Sequence, residues 1–122
     1  IHGYGYGQDE DQGQLGAWYV ISSMGLFSVT GLNDIDPTFS LGSCLFDRVT
    51  ICLNEKYYPG RYFYITTDCS GPGKHNHTPE DIYIQEYRLN GKKLTDPHIS
   101  FADVVKGGTW QIKLGSKPVD KY

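Results

Sequence analysis

The spacing of hydrophobic positions changes along the chain, from helical near the amino terminus to strand-like alternation after Gly25. From Leu15 to Met24 the apolar residues occupy more than one helical face, and a helix that is apolar all round is typically buried. Asp11 with Gln14 has the form of a capping box, and Gly25 is placed as the residue just past the helix end. The pattern therefore predicts one buried helix.

Two glycines inside this helical segment indicate a close neighbour. Gly13 and Gly16 each lower helix propensity by about 1 kcal/mol relative to alanine, so their presence suggests that another backbone or a ligand approaches them. The pattern predicts no second helix of this kind in the chain. The helix is therefore interpreted as one member of a larger helical assembly.

The rest of the chain alternates with the period of two that is typical of strands. The predicted strands are Leu26 to Thr30, Leu45 to Leu53, Tyr62 to Thr67, Ile82 to Leu89, a strand that begins at Lys92, and Thr109 to Leu114. Asn90-Gly91 is a hairpin signal, and a short helix is predicted to start near Ser100 and to end at Gly107. We therefore predict a mainly β fold, with one helix before five or six antiparallel strands in a small β-sandwich.

Composition excludes several classes of function. The chain has 122 residues, enough for one domain, and a net charge of -3 without a run of Lys and Arg, which argues against nucleic acid as a partner. No apolar stretch approaches the roughly 20 residues of a membrane-spanning helix, so a membrane is not expected as a partner. Cys44, Cys52 and Cys69 are an odd number, and we expect buried free thiols rather than a disulfide bridge.

The strongest candidate for chemistry is the acidic segment that opens the helix. Asp9 and Asp11 lie on either side of Glu10, at an end where the helix dipole favours an ionised carboxyl group. An ionised carboxylate can accept a proton from water, although on residue type alone an aspartate at this position is more often only a helix cap. Tyr4 and Tyr6 favour a sugar pocket, since aromatic rings beside acids are typical of such pockets, but tyrosines are also ordinary core residues.

Metal sites are weaker interpretations. The spacing of Asp9, Asp11 and Gly13 is similar to a calcium loop, but no acidic residue follows at the position of the bidentate ligand. The other candidate ligands lie in a predicted surface loop from Asp68 to Asp81, and they are Cys69, His75 and His77. Because a zinc site needs three or four correctly placed groups, exposed loop histidines are the simpler interpretation.

Four segments of the chain, taken in order, are similar to one known family. They are Asp9 to Leu26, Gly42 to Ile51, Leu89 to Lys92 and Gly107 to Thr109. They resemble glycoside hydrolase family 92, the calcium-dependent exo-α-mannosidases, and the first segment is the most specific. The resemblance implies the carboxyl-terminal end of a larger enzyme with an (α/α)₆ catalytic barrel. Residues 1–27 would carry the last barrel helix, and residues 28–122 would form the carboxyl-terminal β-sandwich region.

The resemblance also implies an activity, which is inverting hydrolysis of terminal α-linked mannose, especially α-1,2-linked, with calcium as cofactor. Asp11 takes the family's general-base position and Asp9 that of the acidic residue beside it. Gln8 departs from the expected glycine, and the segment with the glutamic general acid has no counterpart here, so this chain would be inactive by itself. Mannose-containing glycans and the remaining enzyme polypeptide are the implied partners, in a secreted, periplasmic or cell-surface location.

A free-standing β-sandwich module, either carbohydrate-binding or structural, is the alternative interpretation. In that case Trp110 and the tyrosines would form an exposed stacking platform, whereas in an enzyme fragment they would be core residues. An exposed aromatic row on one sheet face favours the module. An exposed apolar helix from Leu15 to Met24 favours the fragment.

Overall fold

The computed structural model describes residues 9–28, 30, 32–69 and 80–119. In chain order, the elements of this part are α1 (Asp9–Ser23), β1 (Leu26–Phe27), β2 (Thr38–Leu41), β3 (Arg48–Cys52), β4 (Tyr62–Cys69), β5 (Tyr83–Leu89), β6 (Lys92–Lys93), β7 (His98–Ser100), α2 (Phe101–Val105) and β8 (Gly108–Gly115). The fold is therefore mainly β, as the alternation of the sequence predicted.

The strands form two sheets. Strands β1, β2 and β7 pair antiparallel in that order, and β3, β4, β8, β5 and β6 form the larger sheet. Strand β4 runs parallel to β8, with Phe63 opposite Gly108 and Cys69 opposite Leu114. The prediction of antiparallel strands is therefore wrong for this pair, because side-chain alternation is the same in parallel and antiparallel strands.

The core lies on one face of the larger sheet. Trp110, Ile112 and Leu114 of β8 point to this face, as predicted, and Phe63 and Ile65 of β4 lie beside them. The three-stranded sheet and α2 complete the core, through Leu26, Phe39, Ile99 and Val104. Since each of these side chains is buried, the β-region has a continuous apolar interior of its own.

Several local signals of the sequence are confirmed. Asn90 and Gly91 have φ angles of 50° and 81°, as the hairpin turn between β5 and β6 requires. Ser100 caps α2, since its hydroxyl oxygen accepts a hydrogen bond from the amide of Asp103 at 3.0 Å. Strand β3 keeps the predicted alternation, with exposed Arg48 and half-buried Val49, although it is shorter than predicted.

Helix α1 differs from its prediction at the amino end. It begins at Asp9, so Asp11 lies inside the first turn and the predicted capping box is wrong. The carboxyl end is as predicted, because Gly25 adopts a φ of 81° just past the helix. Its carbonyl accepts a hydrogen bond from the Gly42 amide at 2.8 Å, and the Leu45 amide donates to the carbonyl of Ser23 at 2.9 Å. These bonds fix only the last turn of α1 to the β-region.

Candidate active site

The predicted catalytic residues lie in the acidic turn, which we define as Asp9, Glu10 and Asp11 in the first turn of α1. Their backbone is helical, so the positive end of the helix dipole lies at these residues and favours ionised carboxylates. Their side chains, like Tyr4 and Tyr6, lie outside the described part of the structure. The roles of Asp9 and Asp11 therefore stay predictions.

Beyond the acidic turn, α1 presents apolar side chains to solvent on both sides. Leu15 and Tyr19 are each 63% exposed, Val20 is 55% exposed and Trp18 is 53% exposed. The prediction of a buried helix is therefore wrong for this chain by itself, because its β-region covers only the carboxyl end of α1. The result agrees with the expectation for an enzyme fragment, in which this helix would be exposed.

The two helix glycines are open as well. A β-carbon added at Gly13 or Gly16 would meet nothing within 4 Å. The neighbour that these glycines suggested is therefore not found among the described residues. Both positions leave space on α1 for another polypeptide or a ligand.

An open cavity of about 370 Å³ lies between α1 and the three-stranded sheet. The helix contributes Gln14, Ala17, Trp18 and Ile21 to its lining, and the opposite wall includes Phe27 and Phe39. A second cavity of about 260 Å³ shares Ile21 and Phe39 and extends towards α2. Because these linings are mostly aliphatic and aromatic, they suit apolar side chains better than the hydroxyl groups of a sugar.

The other predicted ligands do not form a metal site in the described part of the chain. Among residues 9–28, 30, 32–69 and 80–119, no group of three or more His, Cys, Asp or Glu residues could hold a metal ion. Cys69 ends β4 and is partly buried, whereas His75 and His77 lie outside the described residues, as does most of the predicted Asp68 to Asp81 loop.

The thiols differ in their surroundings. Cys44 is a buried free thiol, as expected, and burial raises its pKa above the ordinary value. Cys52 is exposed, contrary to the expectation, because it lies on the outward side of an edge strand. Burial raises the pKa of Cys44, whereas a reactive cysteine needs a lowered thiol pKa.

The aromatic residues separate into two groups that the sequence did not distinguish. Trp110 is completely buried, so the stacking platform that the module interpretation assigned to it is wrong. Tyr62 and Tyr64, in contrast, lie on the side of β4 opposite the buried Phe63. Their spacing of two residues around a buried phenylalanine was the signal that could have found them.

The described helices include no segment long and apolar enough to cross a membrane.

Comparison with known proteins gives a more specific result. The model of the glycosyl hydrolase family 92 catalytic domain matches residues 2–116, which include α1 and all eight described strands. No curated protein gives a significant match to the chain.

Solved structures of the same family are also similar to this chain. An inverting mannosidase of family GH92 from Bacteroides thetaiotaomicron is 32% identical, with a TM-score of 0.69 over 90% of this chain. The family GH92 glycosyl hydrolase ccman5 is 26% identical, with a TM-score of 0.72 over 93% of this chain. An α-mannosidase from Bacteroides thetaiotaomicron in complex with mannoimidazole, 24% identical with a TM-score of 0.71 over 90% of this chain, shares the fold. The chain spans only 13% to 14% of the length of these proteins.

Proposed function

The chain belongs to glycosyl hydrolase family 92, and on this premise we propose that the intact protein is an exo-acting α-mannosidase. It would remove terminal α-linked mannose, α-1,2-linked in particular, with inversion at the anomeric carbon. The observation that carries the proposal is the family match over residues 2–116, because it includes the acidic turn as well as the β-region. A relative with 32% identity is described as an inverting mannosidase, which supports the stereochemistry.

In this mechanism Asp11 is the general base and Asp9 adjusts its proton affinity. The amino end of α1 favours an ionised carboxylate, which can take a proton from water as the water attacks the anomeric carbon. Inverting enzymes hold their two carboxyl groups about 6.5–9.5 Å apart, with the water between one of them and the sugar. The general acid would therefore lie across a cleft, on polypeptide outside this sequence.

The partner that completes the cleft is the rest of the enzyme polypeptide. The inverting mannosidase of family GH92 described above is about seven times longer, since this chain spans 13% of its length. Apolar side chains exposed on both sides of α1, such as Leu15 and Val20, support covering by that polypeptide. We propose that residues 1–27 belong to the helical catalytic barrel and that residues 28–122 form the β-region attached to it.

Calcium is part of the proposal for the intact enzyme, with ligands other than the described side chains. No cluster among those side chains fits the ion, so we derive no step of the reaction from it. When bound, calcium would hold hydroxyl groups of the mannose. The proposed location of the enzyme is secreted, periplasmic or cell-surface, where mannose-containing glycans are accessible.

Hydrolysis of an aryl α-mannoside by the intact enzyme tests the activity, and release of the chromophore is the expected result. Proton NMR of the first product tests the stereochemistry, since an inverting enzyme releases β-mannose. Release of α-mannose as the first product would contradict inversion. No release of mannose from either the aryl substrate or an α-1,2-linked mannobiose would contradict the proposed function.

A further inference from the structure

The larger sheet has an outer face, which we define as the side opposite the buried residues of β4 and β8. On β4 it carries Tyr62 and Tyr64, which alternate with buried Phe63 and Ile65. Residues that pair directly in neighbouring strands have their side chains on the same face of the sheet. The pairing register therefore shows which residues of β3, β8 and β5 lie on the outer face together with those of β4. Its members include Arg48, Thr50, Thr66, Gln111, Lys113 and Arg88.

Four planar side chains lie in contact on this face. The rings of Tyr62 and Tyr64 are stacked with centroids 6.0 Å apart. The Arg48 guanidinium carbon lies 5.2 Å from the centroid of Tyr64, and that of Arg61 lies 5.7 Å from the centroid of Tyr62. We call these four residues the aromatic row. Contact with neighbouring planar groups restricts the rotamers of the two tyrosines, so their rings lose little conformational entropy when a ligand binds.

A polar cleft of about 190 Å³ continues the outer face. It is lined by Asp68, Glu86, Arg88, Gln111, Ile112 and Lys113. Asp68 lies four positions after Tyr64 in β4, a distance of about 13 Å along an extended strand. The aromatic row and the cleft therefore form one extended surface, which is longer than a ligand that consists of a single small polar group.

Charges on this surface are largely balanced by their neighbours. Glu86 forms ion pairs with Arg88 and Lys93. Arg61 of the aromatic row pairs with Glu55 at 2.6 Å. A surface with balanced charges does not favour a polyanion such as nucleic acid. The exposed ring of Tyr62 and the half-buried ring of Tyr64, beside many donors and acceptors, fit instead an uncharged ligand that is rich in hydroxyl groups.

We propose that the aromatic row and the polar cleft bind the neutral oligosaccharide of a mannose-containing glycan. The identity of the sugar rests on the proposed function. Tyrosine rings contact the C–H groups of sugar rings, while the guanidinium of Arg48 and the groups of the cleft exchange hydrogen bonds with hydroxyls. Such a site would increase the local concentration of a long glycan without changing the chemistry at Asp11.

The carboxyl end of α1 lies on the opposite side of this sheet. Ile21 and Met24 line one cavity together with Ile51 and Leu53, whose side chains alternate with outer-face residues of β3. Polypeptide that covers α1 therefore approaches the sheet from its inner side.

The test uses the intact enzyme with the double substitution Arg48→Gln and Tyr62→Thr, since threonine suits an exposed strand position. The matched control is Tyr57→Thr, because Tyr57 is 70% exposed and lies near Lys56, in the turn between β3 and β4. Retention in a native gel that contains mannan measures binding. The KM for mannan depends on the aromatic row as well as on the catalytic centre, whereas the KM for an aryl α-mannoside depends on the catalytic centre alone. The two KM values are therefore compared.

We expect the double variant to lose retention and to raise the KM for mannan by roughly threefold to tenfold, the effect of losing one aromatic contact. The KM for the aryl substrate should not change, and the Tyr57 control should behave like the unmodified enzyme. Unchanged retention of the double variant, or an equal loss in the control, would overturn the proposal. If the enzyme hydrolyses neither substrate but only the double variant loses retention, the binding site stands and the proposed function fails.

Discussion

Gly25 lies against the indole ring of Trp110. A β-carbon at Gly25 would be 3.2 Å from Cη2 of Trp110 and 3.0 Å from the carbonyl oxygen of Gly42. The contact joins the end of α1 to the central strand of the larger sheet. It therefore fixes the direction in which the helix leaves the β-region.

Replacing Gly25 by alanine is expected to destabilise the protein. Gly25 has a φ of 81°, which costs an alanine about 1–2 kcal/mol, and the contacts with Trp110 and Gly42 add a steric cost of about 1–3 kcal/mol. The control is Gly91→Ala, because Gly91 has the same φ but nothing within 4 Å of an added β-carbon. Thermal unfolding of the intact enzyme should show a larger decrease in melting temperature for Gly25→Ala. Equal decreases would show that the ring contact is unimportant.

Asp11→Asn in the intact enzyme is expected to lower the turnover number by about 10²–10⁴-fold, the usual contribution of a general base. Folding should change little, because Asp11 lies within the first turn, where one carboxylate contributes about 0.3–1 kcal/mol. Glu10→Gln removes a charge from the same turn and is the matched control. A variant that keeps most of its activity would remove Asp11 from the mechanism.

The isolated chain is expected to have no mannosidase activity, because it contains only one side of the proposed carboxylate pair. Purified 122-residue protein is incubated with an aryl α-mannoside and calcium, beside the intact enzyme as positive control. We expect no chromophore release above buffer from the isolated chain. Turnover by the pure chain would contradict its interpretation as part of a larger catalytic unit.

Val20→Thr tests whether the rest of the enzyme covers α1. Val20 is 55% exposed in this chain, so a hydroxyl group there has no cost unless other polypeptide buries it. In the intact enzyme we expect a loss of about 1–3 kcal/mol, seen as a lower melting temperature. Val119→Thr is the same substitution at a 41% exposed position near the end of the described chain. If both variants melt like the unmodified enzyme, this side of α1 is not buried.

Ser100→Ala is expected to destabilise α2 by about 0.5–2 kcal/mol through loss of its cap. The Ser100 hydroxyl is also the main cause that lowers the pKa of Asp103, with a smaller contribution from Lys106. A carboxyl group whose pKa is lower in the folded than in the unfolded state stabilises the folded protein at pH values above its unfolded-state pKa. This stabilisation is lost as the pH falls through the folded-state pKa.

The difference in stability between Ser100→Ala and the unmodified protein should therefore decrease below about pH 4, where Asp carboxylates become protonated. Unfolding temperatures measured between neutral and acidic pH check this expectation. Ser116→Ala, at an exposed position after β8, is the control and should show no such change with pH. A difference that is constant with pH would mean that the hydroxyl does not act through Asp103.

Local signals in the sequence predicted local structure well. Asn90-Gly91 specified a hairpin because both residues accept the left-handed conformation, and alternation specified the buried side of β8 at Trp110. The short strands β2 and β7 were not predicted. They contain only four and three residues, and partners distant in the sequence determine their pairing.

The sequence predicted less of the candidate site than of the local structure. An acidic turn before an apolar helix indicates chemistry, because charge is costly near a buried surface unless it has a partner or a role. The sequence could not show which side of α1 faces the cleft, since both sides are apolar and both are exposed here. It also did not single out the aromatic row, because Arg48 and Tyr64 come together only through the pairing of β3 with β4.

The position of β8 has a consequence for biosynthesis. It is the last of the eight described strands to leave the ribosome, yet it lies between β4 and β5 in the sheet. Until β8 is synthesised, one edge of β4 and one edge of β5 have no strand to pair with. Unpaired strand edges promote association with other chains. The larger sheet can therefore close only late in translation, and a nascent chain arrested before Gly108 should still be sensitive to protease.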